Sequence, residues 1–120
     1  FGGHPLSCAA GLANLEVIVA ERLWEHADGR GRELVGRLGR LVGGGAVAAV
    51  RGAGLLVGIE FEAPEQARSF VAGCFALGLL VGWTLHDDRV VRIAPPLVIS
   101  DEETNTALQG MEQVADRLAR

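Results

Sequence analysis

The chain has no lysine and no tyrosine among its 120 residues, and all eleven of its basic side chains are arginine. Without lysine it has no side-chain amine that could bond covalently to a carbonyl group, so it cannot supply that chemistry alone. Aromatic residues are scarce, four Phe and two Trp, and the net charge is −4. The arginines group closely only at Arg30/Arg32 and Arg37/Arg40. A basic stripe and interleaved aromatics are both missing, which argues against nucleic-acid binding. No apolar run approaches the roughly 20 residues needed to cross a bilayer. Phe1-Gly2-Gly3-His4 carries no basic n-region, so no signal-peptide pattern is visible. The chain does not begin with Met, which leaves open what precedes residue 1. Cysteine is limited to Cys8 and Cys74, far apart and each in an apolar helical pattern. Two buried thiols are expected rather than a disulfide, and with them a cytoplasmic location.

What is present is apolar. The hydrophobic fraction is 49%, at the high end for a soluble domain, and the mean hydropathy is positive. A chain of this length fits one compact domain, which buries roughly two-thirds of its unfolded surface without disulfide or metal. The apolar excess predicts that some surface is meant for another domain or subunit.

Pro5 suits the first position of a helix, where its missing N–H is no loss. From there Leu12, Leu15, Ile18, Val19 and Leu23 recur at helical spacing, and the opposite side, Ser7, Ala10, Gly11, Ala13 and Asn14, is small. The pattern pauses near His26-Ala27, and Asp28 is a candidate cap for a second helix carrying Leu34, Val35, Leu38, Leu41 and Val42. Gly43-Gly44-Gly45 ends it. A short strand is expected over 48–52, followed by a bend at Gly52-Ala53-Gly54. A second strand alternates Leu55, Val57, Ile59 and Phe61 with Leu56, Gly58, Glu60 and Glu62. Pro64 opens a third helix with Ala67, Phe70, Val71, Cys74 and Phe75 inward, and Gly78 stops it. Strands over 79–85 and 90–94 form a hairpin through His86-Asp87-Asp88. Pro95-Pro96 ends the second of these. Ser100 with Glu103 is a capping box for a last helix whose apolar stripe is Leu108, Met111, Ala115 and Leu118. The order α-α-β-β-α-β-β-α predicts an α+β fold, a small antiparallel sheet with helices on one side.

Few residues invite a chemical role. Gly52-Ala53-Gly54 with Gly58 is followed by a strand pattern rather than a helix, so it does not make a phosphate loop. His86-Asp87-Asp88 reads as a polar turn, because no second group of metal ligands stands at a suitable spacing. His4 fits a loop-to-helix junction. Arg92 stands apart, in the apolar run Val90-Val91-Arg92-Ile93. Desolvating a guanidinium there is costly unless it is paired. Its planar fork matches a carboxylate in two parallel hydrogen bonds. The alternative is an edge-strand arginine that reaches solvent or pairs with Glu60 or Glu62.

Three segments carry a family resemblance. Phe1-Gly2-Gly3-His4-Pro5-Leu6-Ser7-Cys8-Ala9-Ala10 resembles the Phe-Gly-Gly-Asn-Pro-Leu-Ala-Cys-Ala-Ala segment of class III aminotransferases. His4 takes the Asn position and Ser7 an Ala position. Arg51-Gly52-Ala53-Gly54-Leu55-Leu56-Val57-Gly58-Ile59-Glu60-Phe61 is similar to the family's Arg-Gly-x-Gly-Leu-Met-x-x-Ile-Glu-Phe. Leu80-Val81, Thr84-Leu85, Val91-Arg92-Ile93 and Pro95-Pro96-Leu97 look most like its putrescine and acetylornithine branches, although Trp83 replaces a residue that is often small in the putrescine branch.

The resemblance implies the C-terminal small domain of a fold-type I enzyme dependent on pyridoxal phosphate (PLP). Residues 1–46 would form interface and connecting helices and residues 47–120 the α+β core. By the same match, Arg92 would bind the substrate carboxylate. Gly2 and Gly3, with Phe1, would lie near the PLP phosphate of the partner subunit in a homodimer. The family's cofactor lysine and its phosphate-contacting threonine would both precede residue 1, so no catalytic residue is expected in this chain and it is predicted to be inactive alone. A large N-terminal domain, a second subunit, an amino donor (amino acid or diamine) and a 2-oxo acid are the implied partners. A free-standing, non-catalytic binding or dimerisation module is the alternative, and an unrelated small-molecule-sensing α+β domain is a third reading.

Overall fold

The computed structural model describes residues 2–84 and 86–119. Helices α1 (Pro5–Ala20) and α2 (Leu23–Leu38) are followed by a short 3-10 turn and strands β1 (Val47–Ala53) and β2 (Leu56–Phe61). Helix α3 (Pro64–Ala76), strands β3 (Gly82–Trp83) and β4 (Val90–Ile93) and helix α4 (Asp101–Leu118) complete the chain. The strands form one antiparallel sheet in the order β1-β2-β4-β3. The expected α+β class and element order are both found.

The sheet has an inner and an outer face because neighbouring side chains on a strand point opposite ways. Val57, Ile59 and Phe61 of β2 and Val91 and Ile93 of β4 face inward. Helices α2, α3 and α4 pack around that face, contributing Leu34 and Leu38, Phe70 and Cys74, and Leu108 and Met111 to a single core. The Phe61 and Phe70 rings sit 5.0 Å apart in a tilted pair, a favourable aromatic geometry. The Arg37 guanidinium clamps α2 to α4 by donating to both Glu112 carboxylate oxygens, at 3.1 and 2.7 Å. That hydrogen-bonded carboxylate raises the Arg37 pKa. The Ser100–Glu103 capping box is formed as expected, with the Glu103 N–H donating to Ser100 Oγ at 3.2 Å and the Ser100 N–H to Glu103 Oε2 at 2.8 Å.

Several sequence expectations are corrected. The second helix begins five residues before Asp28, at Leu23, and the break falls at Glu21-Arg22. Arg22 there adopts a left-handed φ of 50°. The earlier start lets Leu23 and Ala27 be buried together with Leu34 and Leu38, and this outweighs the capping tendency of Asp28, which pairs instead with Arg32 on the helix surface. Phe75 points to solvent at 70% exposure, because the inward face of α3 runs Ala67, Phe70, Cys74. The strand expected over 79–85 is only Gly82–Trp83, while Leu79 leaves the sheet to pack over Gly110 of α4. Leu85 lies outside the described residues. Cys74 is buried, which pushes its thiol pKa up to about 11, but Cys8 is exposed.

Cys8 is exposed because α1 buries none of its residues, although Leu6, Leu12, Leu15, Val17 and Val19 lie along it. We expect the isolated chain to self-associate, since so much apolar surface is uncovered. Sedimentation over a range of concentrations should show association. A monomer at high concentration, with α1 protected from hydrogen exchange, would contradict this.

Helix α2 also crosses the β1–β2 turn at very close range. A Cβ on Gly31 would stand 2.0 Å from the carbonyl oxygen of Gly54. In an open helix Gly→Ala is worth up to about 1 kcal/mol of stability. Here Gly31→Ala should destabilise by about 1–3 kcal/mol, the usual range for overpacking. A raised urea midpoint would contradict the contact.

Candidate functional site

The outer face of the sheet follows from the same alternation. Leu56, Gly58 and Glu60 of β2 and Arg92 of β4 point away from the core formed by Val57, Ile59 and Val91. Pairing places Arg51, Gly58, Arg92 and Gly82 in one row across all four strands. Arg92 therefore has glycine on both lateral sides. Strand β4 lies between β2 and β3, so Arg92 is on an interior strand and not at an edge.

The guanidinium of Arg92 rests over Gly82. A Cβ there would lie 3.4 Å from Nη2 and 3.5 Å from Nε. Arg92 is exposed and has no ion pair or side-chain hydrogen bond among the described residues. Pairing with Glu60 was one sequence-level possibility, but Glu60 is engaged elsewhere. It accepts a hydrogen bond from Arg51 Nη1 at 2.6 Å and lies 3.5 Å from Arg89 Nη2. Arg92 thus presents an open fork on a strand held from both sides, three residues before Pro95. Such a fork can take a carboxylate in two parallel hydrogen bonds.

The other candidates are plainer. Residues 86–89 form a turn held by polar groups. Thr84 Oγ1 donates to the Asp87 carbonyl at 2.6 Å, and the Asp87 carboxylate accepts the Arg89 N–H at 2.9 Å and its guanidinium at 3.1 Å. The Arg89 side chain beside it lowers the Asp87 pKa. Among the described residues no group of three His, Cys, Asp or Glu could hold a metal ion, and no helix is long and apolar enough to cross a membrane. His4 caps α1 with extended backbone and no side-chain bond. Gly2 and Gly3 form an exposed turn before α1, with Gly3 at φ 81° and no atom within 4 Å of a Cβ built at either. No such contact joins them to the Arg92 row, and Phe1 lies outside the described residues. A hollow of about 700 Å³ lies between Pro96, Leu79 and the start of α4. Its charged lining is Glu102 and Glu103, so it has no cation to offer a carboxylate.

Sequence reasoning singled out Arg92 but missed Gly58, Gly82 and Arg89 as its surroundings. The alternation in β2 already placed Gly58 outward. Which residue it faces across the strands depends on register, which the sequence pattern left open.

The chain is similar to known aminotransferases over nearly its whole length. An ornithine aminotransferase of Bacillus cereus (strain Q1) is 43% identical over 114 residues, covering 95% of this chain and 28% of the relative. An acetylornithine aminotransferase of Methanothermobacter thermautotrophicus is 38% identical over 119 residues, covering 98% and 30%. The crystal structure of an ornithine aminotransferase from Toxoplasma gondii, with PLP at partial occupancy in its active site, superposes with a TM-score of 0.88 at 31% identity, covering 98% of this chain and 28% of that one. The chain thus spans less than a third of the length of these relatives. The family model for aminotransferase class-III matches residues 1–115, and the chain belongs to that family.

Proposed function

We propose that this chain is the C-terminal small domain of a PLP-dependent aminotransferase that moves an amino group from an amino acid or diamine to a 2-oxo acid, and that Arg92 holds the substrate carboxylate. The observation that carries this reading is the Arg92 fork, unpartnered among the described residues, between two in-register glycines. Gly58 and Gly82 leave room above the sheet beside the guanidinium. The interior strand and Pro95-Pro96 limit how far its base can shift, and a rigid support of this kind favours directional recognition. The Nε and Nη hydrogens donate to the two carboxylate oxygens, which sets the orientation of the rest of the substrate.

This chain fits the cofactor only in part. With no lysine it cannot bond to PLP covalently through a side-chain amine. The exposed backbone of Gly2 and Gly3, bare of side chains, suits a place beside the PLP phosphate of a partner subunit. When bound in the longer enzyme, PLP supplies the electron sink for amino transfer. The uncovered apolar residues of α1 suit contact with a second subunit and with the large domain. Residues 1–46 would then provide interface and connection, while 47–120 carry the site. Leu34 and Leu38 of α2 join the same core. A cytoplasmic homodimer completes the reading.

In the full-length enzyme, losing a charge-assisted pair of this kind costs about 2–5 kcal/mol. Arg92→Ala should cut kcat/KM for 2-oxoglutarate by roughly 30-fold or more. Arg92→Lys should recover only part, because an ammonium cannot make both parallel bonds. A diamine donor should be much less affected in its own half-reaction. Stopped-flow measurement of each half-reaction is the check. Equal losses in both, with a lower Tm, would make Arg92 structural.

The isolated chain should show no transaminase turnover. After mixing with PLP and reduction with borohydride, mass spectrometry should find no pyridoxyl group on an internal residue. Turnover by the pure chain would overturn the reading.

A further inference from the structure

The stretch from Pro95 to Ile99 joins the strand that carries Arg92 to helix α4, and little in it holds it in place. It lies outside the sheet, where the last pair of β4 is Ile93 opposite Val57. None of its residues is buried. Pro95 and Pro96 have no N–H to donate. Among the described residues its backbone hydrogen bond is internal, from the Ile99 N–H to the Pro96 carbonyl at 3.1 Å. Such a segment has to be fixed from outside, through its carbonyls.

Helix α2 supplies that tie. His26 Nδ1 stands 2.7 Å from the Leu97 carbonyl oxygen. A carbonyl only accepts, so Nδ1 carries the hydrogen and donates it. The base of His26 is firm, because Leu23 and Ala27 beside it are buried. His26 also heads a row along α2. One turn on, Arg30 pairs with Asp101, and further along Arg37 donates to Asn105 at 2.9 Å and to Glu112 at 2.7 Å. The Arg30 and Arg37 contacts land on α4, which its own helical bonds and the burial of Leu108 and Met111 already fix. The His26 contact lands on the irregular segment. The two prolines make that segment a stiff arm, since each ring fixes its φ. Holding Leu97 therefore holds the end of β4 and the base of Arg92.

We infer that His26 is a positioning residue, whose hydrogen bond to the Leu97 carbonyl fixes the Pro95-Pro96 arm and with it the aim of the Arg92 guanidinium. The inference rests on Arg92 being the carboxylate residue. Without the bond the arm shifts, and an incoming carboxylate has to order it on binding. That cost falls on affinity.

The test uses the full-length enzyme, with 2-oxoglutarate as acceptor and a diamine as donor. His26→Leu keeps an apolar bulk at the position and removes the donor. It is expected to raise KM for 2-oxoglutarate about fivefold, the worth of one net hydrogen bond. Neither kcat at saturating acceptor nor the diamine half-reaction should change much. His26→Asn should bring KM back, because its amide nitrogen is as many bonds from Cβ as Nδ1 is. A merely structural role would not split KM from kcat in this way. Hydrogen exchange gives a reading independent of turnover. The Ile99 amide should exchange about fivefold faster in His26→Leu, while amides within α4 keep their rates. If His26→Leu does not fold, His26→Gln, whose amide nitrogen lies one bond further out, should give a smaller rise of the same sign. An unchanged KM, a rise that His26→Asn does not lower, or an equal loss with the diamine overturns the inference. If Arg92→Ala lowers kcat/KM for 2-oxoglutarate while the His26 variants leave it unchanged, only this inference falls. If Arg92→Ala has no effect, the carboxylate assignment falls and takes this inference with it.

Discussion

The rest of the structure depends on the register of β2 between β1 and β4. Side chains on a strand alternate with a period of two, so slipping either pairing by one residue would exchange its faces. The present register sends Val57, Ile59 and Phe61 into the core and Gly58 and Glu60 out. It also lines up Gly58 with Arg51 and Arg92. Burial of the inner face and exposure of the arginine are thus one constraint seen from two sides. An arginine facing inward would need a partner to offset its desolvation, and the core cluster that the inner face joins is built of apolar side chains.

That constraint explains why so apolar a chain can present a charged site. Helices α2, α3 and α4 all cover the inner face, and the outer face is left for polar groups. There Arg51, Glu60, Arg89 and Asp87 form a connected set of opposite charges on the face that also carries Arg92. Each of these surface pairs is worth little in stability. Their consequence is directional, since they settle which carboxylate points where. Helix α1, at the other end of the amphipathic scale, is uncovered along its apolar length. It is consistent with a chain that spans less than a third of its relatives' length.

Much of this was legible along the chain because the signals are local. The alternation from Leu55 to Phe61, the Ser100–Glu103 box, the stop at Gly78 and the end of β4 before Pro95-Pro96 each depend on residues a few positions apart. The misreadings have a common origin in packing over longer range. Asp28 looked like a cap, but burial of Leu23 and Ala27 carried α2 past it towards the N-terminus. Phe75 looked like core together with Cys74, yet of the two only Cys74 is buried on α3. Cys8 looked buried because α1 is apolar, although none of the described elements covers that helix.

The sequence by itself determined the α+β class, the order of the elements, the inner face of β2 and the conspicuous position of Arg92, because period, capping and proline placement act within a turn or a strand. Only the tertiary structure decided that Arg92 sits on an interior strand between Gly58 and Gly82, and that Glu60 turns to Arg51 and Arg89 instead. Those relations join residues up to 34 positions apart, Gly58 and Arg92. Strand register sets them, and register is settled when the two faces of the assembled sheet meet the helices on one side and solvent on the other.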